Sequence, residues 1–107
     1  MKINIKPLSV NCAFQGRRFK TPAYKQYERD VTALLRPCTV PEGNIHLTIE
    51  AGFSRTQSDI DNIAKPFIDI LQKKYGFNDS RIYKLTLIKQ IVKKGSEYLD
   101  FEFEAAN

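Results

Sequence analysis

Apolar and polar residues alternate most regularly from residue 45 to 54, where Ile45, Leu47, Ile49, Ala51 and Phe53 interleave with His46, Thr48, Glu50, Gly52 and Ser54. A period of two sends each set to its own face, so this segment is predicted as a strand with one face in the core. The same rhythm appears at Ile3 and Ile5 among Lys2, Asn4 and Lys6, stopping at Pro7, and again at Leu99, Phe101 and Phe103 among Asp100, Glu102 and Glu104. The acidic side of that last strand should face solvent. Elsewhere the period becomes helical. Thr21-Pro22 reads as an N-cap followed by proline at the first helical position, and Tyr24, Tyr27, Val31 and Leu34 recur at helical spacing, predicting a helix to about Arg36. Pro37 and Pro41 mark its break. Ser58 is expected to cap a second helix, whose stripe of Ile60, Ile63, Ala64, Phe67, Ile70 and Leu71 ends near Tyr75-Gly76. Residues 82–93 are rich in β-branched and apolar side chains, and Lys94-Gly95-Ser96 reads as a hairpin turn. The map is α/β (α+β), a single domain over residues 1–107 without repeats or low-complexity segments.

Charge narrows the class of partner. Lysine and arginine number 17 against 12 aspartates and glutamates, a net charge of +5, which suits a polyanion without requiring one. The polar stretch from Asn11 to Lys20 sets Arg17, Arg18 and Lys20 among Phe14 and Phe19, a composition fit for a loop on phosphates and equally for a solvated loop pinned by its rings. No apolar run approaches the roughly 20 residues needed to span a bilayer, and Met1-Lys2-Ile3-Asn4-Ile5-Lys6 has no hydrophobic signal core, so a soluble, unexported chain is expected. Cys12 and Cys38 lack metal-ligand spacing and are read as reduced, structural thiols. His46 has no second histidine or cysteine at ligand spacing and is read as a surface residue.

Three aspartates carry the candidate chemistry: Asp59 and Asp61 in Ser58-Asp59-Ile60-Asp61-Asn62, and Asp79 in Phe77-Asn78-Asp79-Ser80. Magnesium prefers hard oxygen ligands and takes only one or two carboxylates from most proteins, leaving room for water and phosphate. Inside a regular helix Asp59 and Asp61 would point roughly 200° apart and could not share an ion. Asp59 in the turn before the helix and Asp61 in its first turn removes that objection. Asp79, opening the next strand, could then approach from the side. Each carboxylate also has an ordinary structural reading, at a helix N-terminus or in a turn. Lys65 stands four residues from both Asp61 and Asp69. It suits a surface ion pair, and it equally suits an ammonium that neutralises phosphate charge during an in-line displacement.

The run Asp59-Ile60-Asp61-Asn62-Ile63-Ala64-Lys65-Pro66-Phe67-Ile68-Asp69, followed by Gly76-Phe77-Asn78-Asp79-Ser80-Arg81-Ile82, resembles the signature of the RusA family of Holliday-junction resolvases. That signature is an Asp-x-Asp-Asn-x-x-Lys helix start and, after a short helix, an acidic pair that opens a strand. Asp59, Asp61, Lys65 and Asp79 match it. Asn78 stands where the family often has aspartate, and an amide oxygen can ligate magnesium but brings no charge. Pro7-Leu8-Ser9-Val10-Asn11 is similar to the family's Pro-Pro-Ser-x-Asn segment, with Leu8 in place of the second proline.

The resemblance implies a small mixed sheet of about four strands with two main helices packed on it. It also implies a homodimeric, magnesium-dependent endodeoxyribonuclease, with manganese as a substitute ion, that resolves four-way junctions by paired symmetric nicks in recombination and repair. A two-fold dimer would present two equal sites to two equal strands. Asp59, Asp61 and Asp79 are the metal ligands it implies, and Lys65 the residue that steadies the developing charge. Arg17, Arg18, Lys20, Lys84, Lys89, Lys93 and Lys94 are candidates for DNA-backbone contacts. The expected setting is the cytoplasm of a bacterium or of a phage-infected cell. A nuclease for other branched DNA, such as flaps or forks, and a non-catalytic nucleic-acid-binding module whose aspartates only cap and pair are the alternatives.

Overall fold

The computed structural model of the chain describes residues 1–15 and 19–106, with side chains described outside residues 12–19. In order it forms β1 (Lys2–Ile3), α1 (Val10–Ala13), β2 (Phe14–Gln15), β3 (Phe19–Lys20), α2 (Pro22–Leu34) and β4 (Ile45–Phe53). A 3-10 turn (Ile60–Ile63) leads into α3 (Ala64–Tyr75), and a second one (Asp79–Arg81) precedes β5 (Ile82–Ile91) and β6 (Tyr98–Ala105).

β4 is the hub. Its odd-numbered side chains are all buried, and the sheet order β1-β6-β4-β5 gives it a neighbour on each side. β5 runs parallel to it, from Ile45↔Ile82 to Phe53↔Ile91, and β6 antiparallel, from Ile45↔Ala105 to Gly52↔Tyr98. This is the mixed sheet with two helices expected from the resemblance. Buried residues of α2 (Tyr27, Val31), α3 (Phe67, Ile70, Leu71) and β4 belong to one apolar cluster, so both helices cover the face of the sheet that carries Ile45, Leu47 and Ile49. His46, on the other face, sits beside β5, its Nε2 2.8 Å from Thr86 Oγ1.

Several boundaries differ from the sequence expectation. Lys94 and Gly95 do form a turn, with Gly95 at φ 94°, but the strands it joins are not a hairpin because β4 lies between them. Local turn chemistry shows that the chain reverses and leaves the strand's partner open. The segment expected as a loop from Asn11 to Lys20 contains α1 and a small ladder, β2 against β3, paired Phe14↔Lys20 and Gln15↔Phe19. Thr21 caps α2 as expected, its Oγ1 accepting from the Tyr24 N–H at 3.1 Å. The helix stops at Leu34, because Leu35 turns to extended backbone and is the leucine that is buried. Ser58 does not cap the second helix. Asp59 precedes the 3-10 turn, and α3 begins only at Ala64. Pro66 falls in the first turn of α3, where its missing N–H would have had no partner. Gly76 closes that helix in the left-handed region, at φ 69°. Cys38 is free and exposed, while the reading of Cys12 lies outside the described side chains. No helix among the described residues is long and apolar enough to cross a membrane.

Two contacts lead to direct tests. A Cβ placed on Gly52 would come within 2.4 Å of the Tyr98 ring on β6, whose hydroxyl is held by Glu50 Oε2 at 2.7 Å. Gly52→Ala should therefore cost about 1–3 kcal/mol of unfolding free energy in a urea titration, as overpacking does. On the helical side, Glu28 of α2 accepts from Lys73 of α3 at 2.8 Å and from Lys20 of β3 at 3.2 Å. Burial alone would raise the Glu28 pKa, but the two lysine contacts outweigh it and hold the carboxyl below its usual value of 4.5. A lowered carboxyl pKa adds stability that is fully present above the unfolded value and is lost as pH falls through the folded one. In an acid titration of stability the native protein should thus lose more below pH 4.5 than Glu28→Gln does. Because both lysines are partly solvated, the difference should be only about 0.5–1 kcal/mol.

Candidate active site

β4 ends at Phe53, and the chain bends at Ser54 into the loop that carries the first two aspartates. That loop is fastened from β5. Lys89 Nζ donates to the carbonyls of Thr56, at 2.7 Å, and of Ser58, while its ammonium lies 5.8 Å from the centre of the Phe53 ring. Ser54 donates to Glu97 Oε2 at 2.9 Å and the Gly95 N–H to Glu97 Oε1 at 2.7 Å, which ties the loop to the turn before β6. Glu97's own backbone and the Ser54 hydroxyl hold its carboxyl below the usual range. A cleft of about 270 Å³ opens between this loop and the N-terminal segment. Pro7, Ser9 and Asn11 line one side and Ser58, Asp59 and Asn62 the other, with Lys6, Arg55 and Glu97 among the charged groups. The two segments singled out by their motifs thus face each other across one cavity.

The aspartates of this turn are not used for capping. Asp59 has extended backbone, φ −92° and ψ 122°, and its side chain makes no cap hydrogen bond; among the described residues it accepts only from Asn62 Nδ2, at 3.5 Å. Asp61 is exposed in the first 3-10 turn, and among the described residues its carboxylate has no hydrogen bond or ion pair. Carboxylates near a helix start often accept from its free N–H groups. These two leave their oxygens to solvent or to a ligand. Lys65, 63 % exposed, pairs with Asp69 Oδ1 at 3.1 Å rather than with Asp61.

Asp79 lies elsewhere. Its backbone N–H donates to Gln72 Oε1 near the end of α3, and Asn78 Oδ1 caps the same turn by accepting from the Ser80 N–H. Arg81 donates to the carbonyls of Gly43, at 2.9 Å, and of Pro41, just before β4 begins. Asp79 therefore stands at the start of the parallel pair β4–β5, whereas Asp59 and Asp61 follow its end. The intervening α3 has 12 residues, so its axis alone separates the two ends by about 18 Å. No three acidic, histidine or cysteine side chains among the described residues gather closely enough to hold a metal ion. One chain offers Asp59 and Asp61 on one turn, but it does not fit a site with all three carboxylates. Asp79 does not approach from the side within one chain, because a parallel crossover returns the chain to the opposite end of the sheet.

The expected DNA-contact residues are dispersed. Arg17 and Arg18 lie outside the described residues. Lys20 is engaged with Glu28 and lies 5.0 Å from the Tyr24 ring centre, and Lys89 is spent on the loop carbonyls. Lys84, Lys93 and Lys94 are exposed. Sequence reasoning missed Lys6, Arg55 and Asn62, which line the cleft. Asn62 lay inside the quoted motif and could have been found there, whereas no spacing rule brings Lys6 to Arg55.

No curated protein sequence matches the chain. A family model, endodeoxyribonuclease RusA, matches residues 9–97 of the 107, from the N-terminal side of the cleft through both aspartate turns to Glu97. The chain belongs to the RusA endodeoxyribonuclease family.

Proposed function

We propose that this protein cuts four-way DNA junctions by paired, symmetric nicks in recombination and repair, in a reaction that needs magnesium and accepts manganese. Membership of a family of Holliday-junction-resolving endodeoxyribonucleases gives the reaction class, hydrolysis of DNA phosphodiesters in branched DNA. The observation that carries the reading to particular residues is the cleft, where the Pro7 to Asn11 segment faces Asp59 with its carboxylate free of capping. Lys6 and Arg55 give the cleft rim cations for the phosphate backbone, and Ser9, Asn11 and Asn62 supply neutral donors that fix its position. Lys65 lies one helical turn beyond Asp61, where its ammonium would steady charge that builds up on the phosphate. A divalent cation drawn to Asp59 and Asp61 would supply Lewis acidity at the scissile phosphate. The binding-module alternative has less support, because it requires the aspartates to be occupied in capping or pairing.

The test compares a synthetic four-way junction with a flap, a fork and linear duplex, each in magnesium, in manganese and in chelator. Paired nicking confined to the junction, and abolished by chelator, is the expected result. Equal cutting of flap and fork would move the assignment to another branched substrate. Tight junction binding with no cutting in either metal would make the protein a binding module.

A further inference from the structure

One side chain on the helix-bearing face of β5 breaks its apolar row. Leu85, Leu87 and Ile91 are register partners of Leu47, Ile49 and Phe53, and Lys89, the partner of Ala51, stands between Leu87 and Ile91. Successive residues of a strand alternate between its faces, so Lys89 shares the face of these three apolar neighbours. Polar groups taken from water are costly there unless they find partners. Lys89 is half-buried and finds two acceptors, the carbonyls of Thr56, at 2.7 Å, and of Ser58. The Phe53 ring centre lies 5.8 Å from its ammonium, within range of cation–π attraction.

These contacts act on the backbone immediately before Asp59. The two carbonyls bracket Gln57, which lines the cleft together with Ser58 and Asp59. The Ser58 carbonyl belongs to the planar peptide unit whose N–H is that of Asp59, so a hold on its oxygen fixes the plane from which Asp59 departs. The carboxylates of Asp59 and Asp61 are exposed and unpacked, and their aim is therefore set by the backbone that carries them. Bonded to the carbonyl that adjoins Asp59, the ammonium also places positive charge beside a turn with two carboxylates and offsets part of their mutual repulsion.

We propose that Lys89 is a positioning residue of the active site, which clasps the loop so that Asp59 and Asp61 face one cation together. An ammonium has three N–H groups, and here two are donated inward. That turns Lys89 away from the DNA-backbone role expected of a basic residue on an edge strand. The proposal rests on the nuclease reading for the reaction that Lys89 serves, whereas the clasp itself is independent of it.

The test compares the native chain with Lys89→Met, which keeps the aliphatic stem and removes the ammonium, and with Lys89→Arg, which restores charge and donors. In Lys89→Met the maximal rate of junction nicking in magnesium should fall about tenfold to a hundredfold, the range for losing a group that orients a metal ligand. The junction concentration at half-maximal rate should not change. Manganese affinity read by calorimetry without DNA should fall about tenfold. Junction affinity in chelator should keep its native salt dependence, whereas loss of a lysine that touches phosphate would lower that slope by about one. Trypsin should cut after the exposed Arg55 several-fold faster in Lys89→Met than in the native chain, because the loop opens more often. Lys89→Arg should recover most of the nicking rate and of the manganese affinity.

A shallower salt slope, with binding lost in step with cutting, would make Lys89 a DNA contact and overturn the proposal. Native nicking and native manganese affinity in Lys89→Met would overturn it as well, and so would an arginine variant no better than the methionine one. Lys89→Gln takes the place of Lys89→Met where circular dichroism shows the latter unfolded. If the native chain cuts no junction, the nuclease reading fails, and the tryptic and manganese measurements still decide whether Lys89 sets the loop.

Discussion

Asp61→Asn should lower the rate of junction cutting by on the order of a hundredfold to a thousandfold, because it weakens the hold on the cation that would stabilise the developing charge. The substitution keeps the shape of the side chain and removes only its charge. Asp61 is exposed and, among the described residues, its carboxylate has no hydrogen bond or ion pair, so no packing is disturbed. Its effect on unfolding should stay within about 0.5 kcal/mol, as for surface changes away from special contacts. Junction affinity in chelator should be unchanged or slightly better, because a negative charge near the phosphates is gone. Single-turnover nicking of an end-labelled junction, set beside a binding titration and a urea melt, separates these quantities. A variant that cuts as fast as the native protein would remove Asp61 from the active site, and one that loses binding in step with cutting would make it a contact residue.

Phe67→Ala should be the most damaging single change to the fold, at about 3–5 kcal/mol. Phe67 is completely buried and stands edge-on to Phe101, with ring centres 5.7 Å apart. Phe101 in turn lies 5.5 Å from Phe103, and Phe103 5.4 Å from Phe77, so a chain of edge-to-face rings ties α3 and the segment after it to β6. Such pairs add about 0.5–1.5 kcal/mol beyond the area they bury. Domains of this kind keep only about 5–15 kcal/mol in reserve, and a loss of this size leaves a poorly folded chain at the low end of that range. Urea unfolding followed by tyrosine fluorescence measures it. A loss below about 1 kcal/mol would mean that neighbouring side chains close the cavity without strain.

The parts of this fold that could be read in the sequence are those that bury one face only. β4 alternates because the helices cover one side of it, and α3 shows its stripe because the other side meets water. β5 has no such rhythm. At an edge both faces are partly wet, so its apolar residues fall at positions 82, 85, 87, 88 and 91 without a regular period. Strand order was hidden for another reason, since Gly95 is needed for a turn whatever strand comes next. At the site, the spacing put Asp59 in the turn before the helix and Asp61 in the first helical turn; Asp59 does precede the first turn, but that turn, which holds Asp61, is 3-10 and α3 begins only after it. The place of Asp79 depended on β5 running parallel to β4, a property of the whole sheet that no local spacing contains.

β4 also imposes a timetable on the growing polypeptide. Both of its neighbours come later in the chain: β5 arrives after α3, and β6 begins only at Tyr98. A nascent chain that has emerged as far as α3 holds a hydrophobic strand with two bare edges. Closing those edges requires segments tens of residues downstream, the kind of distant pairing that slows folding and exposes intermediates to misassociation. Of the described strands β1 waits longest, because it precedes the others and its partner among them, β6, comes last.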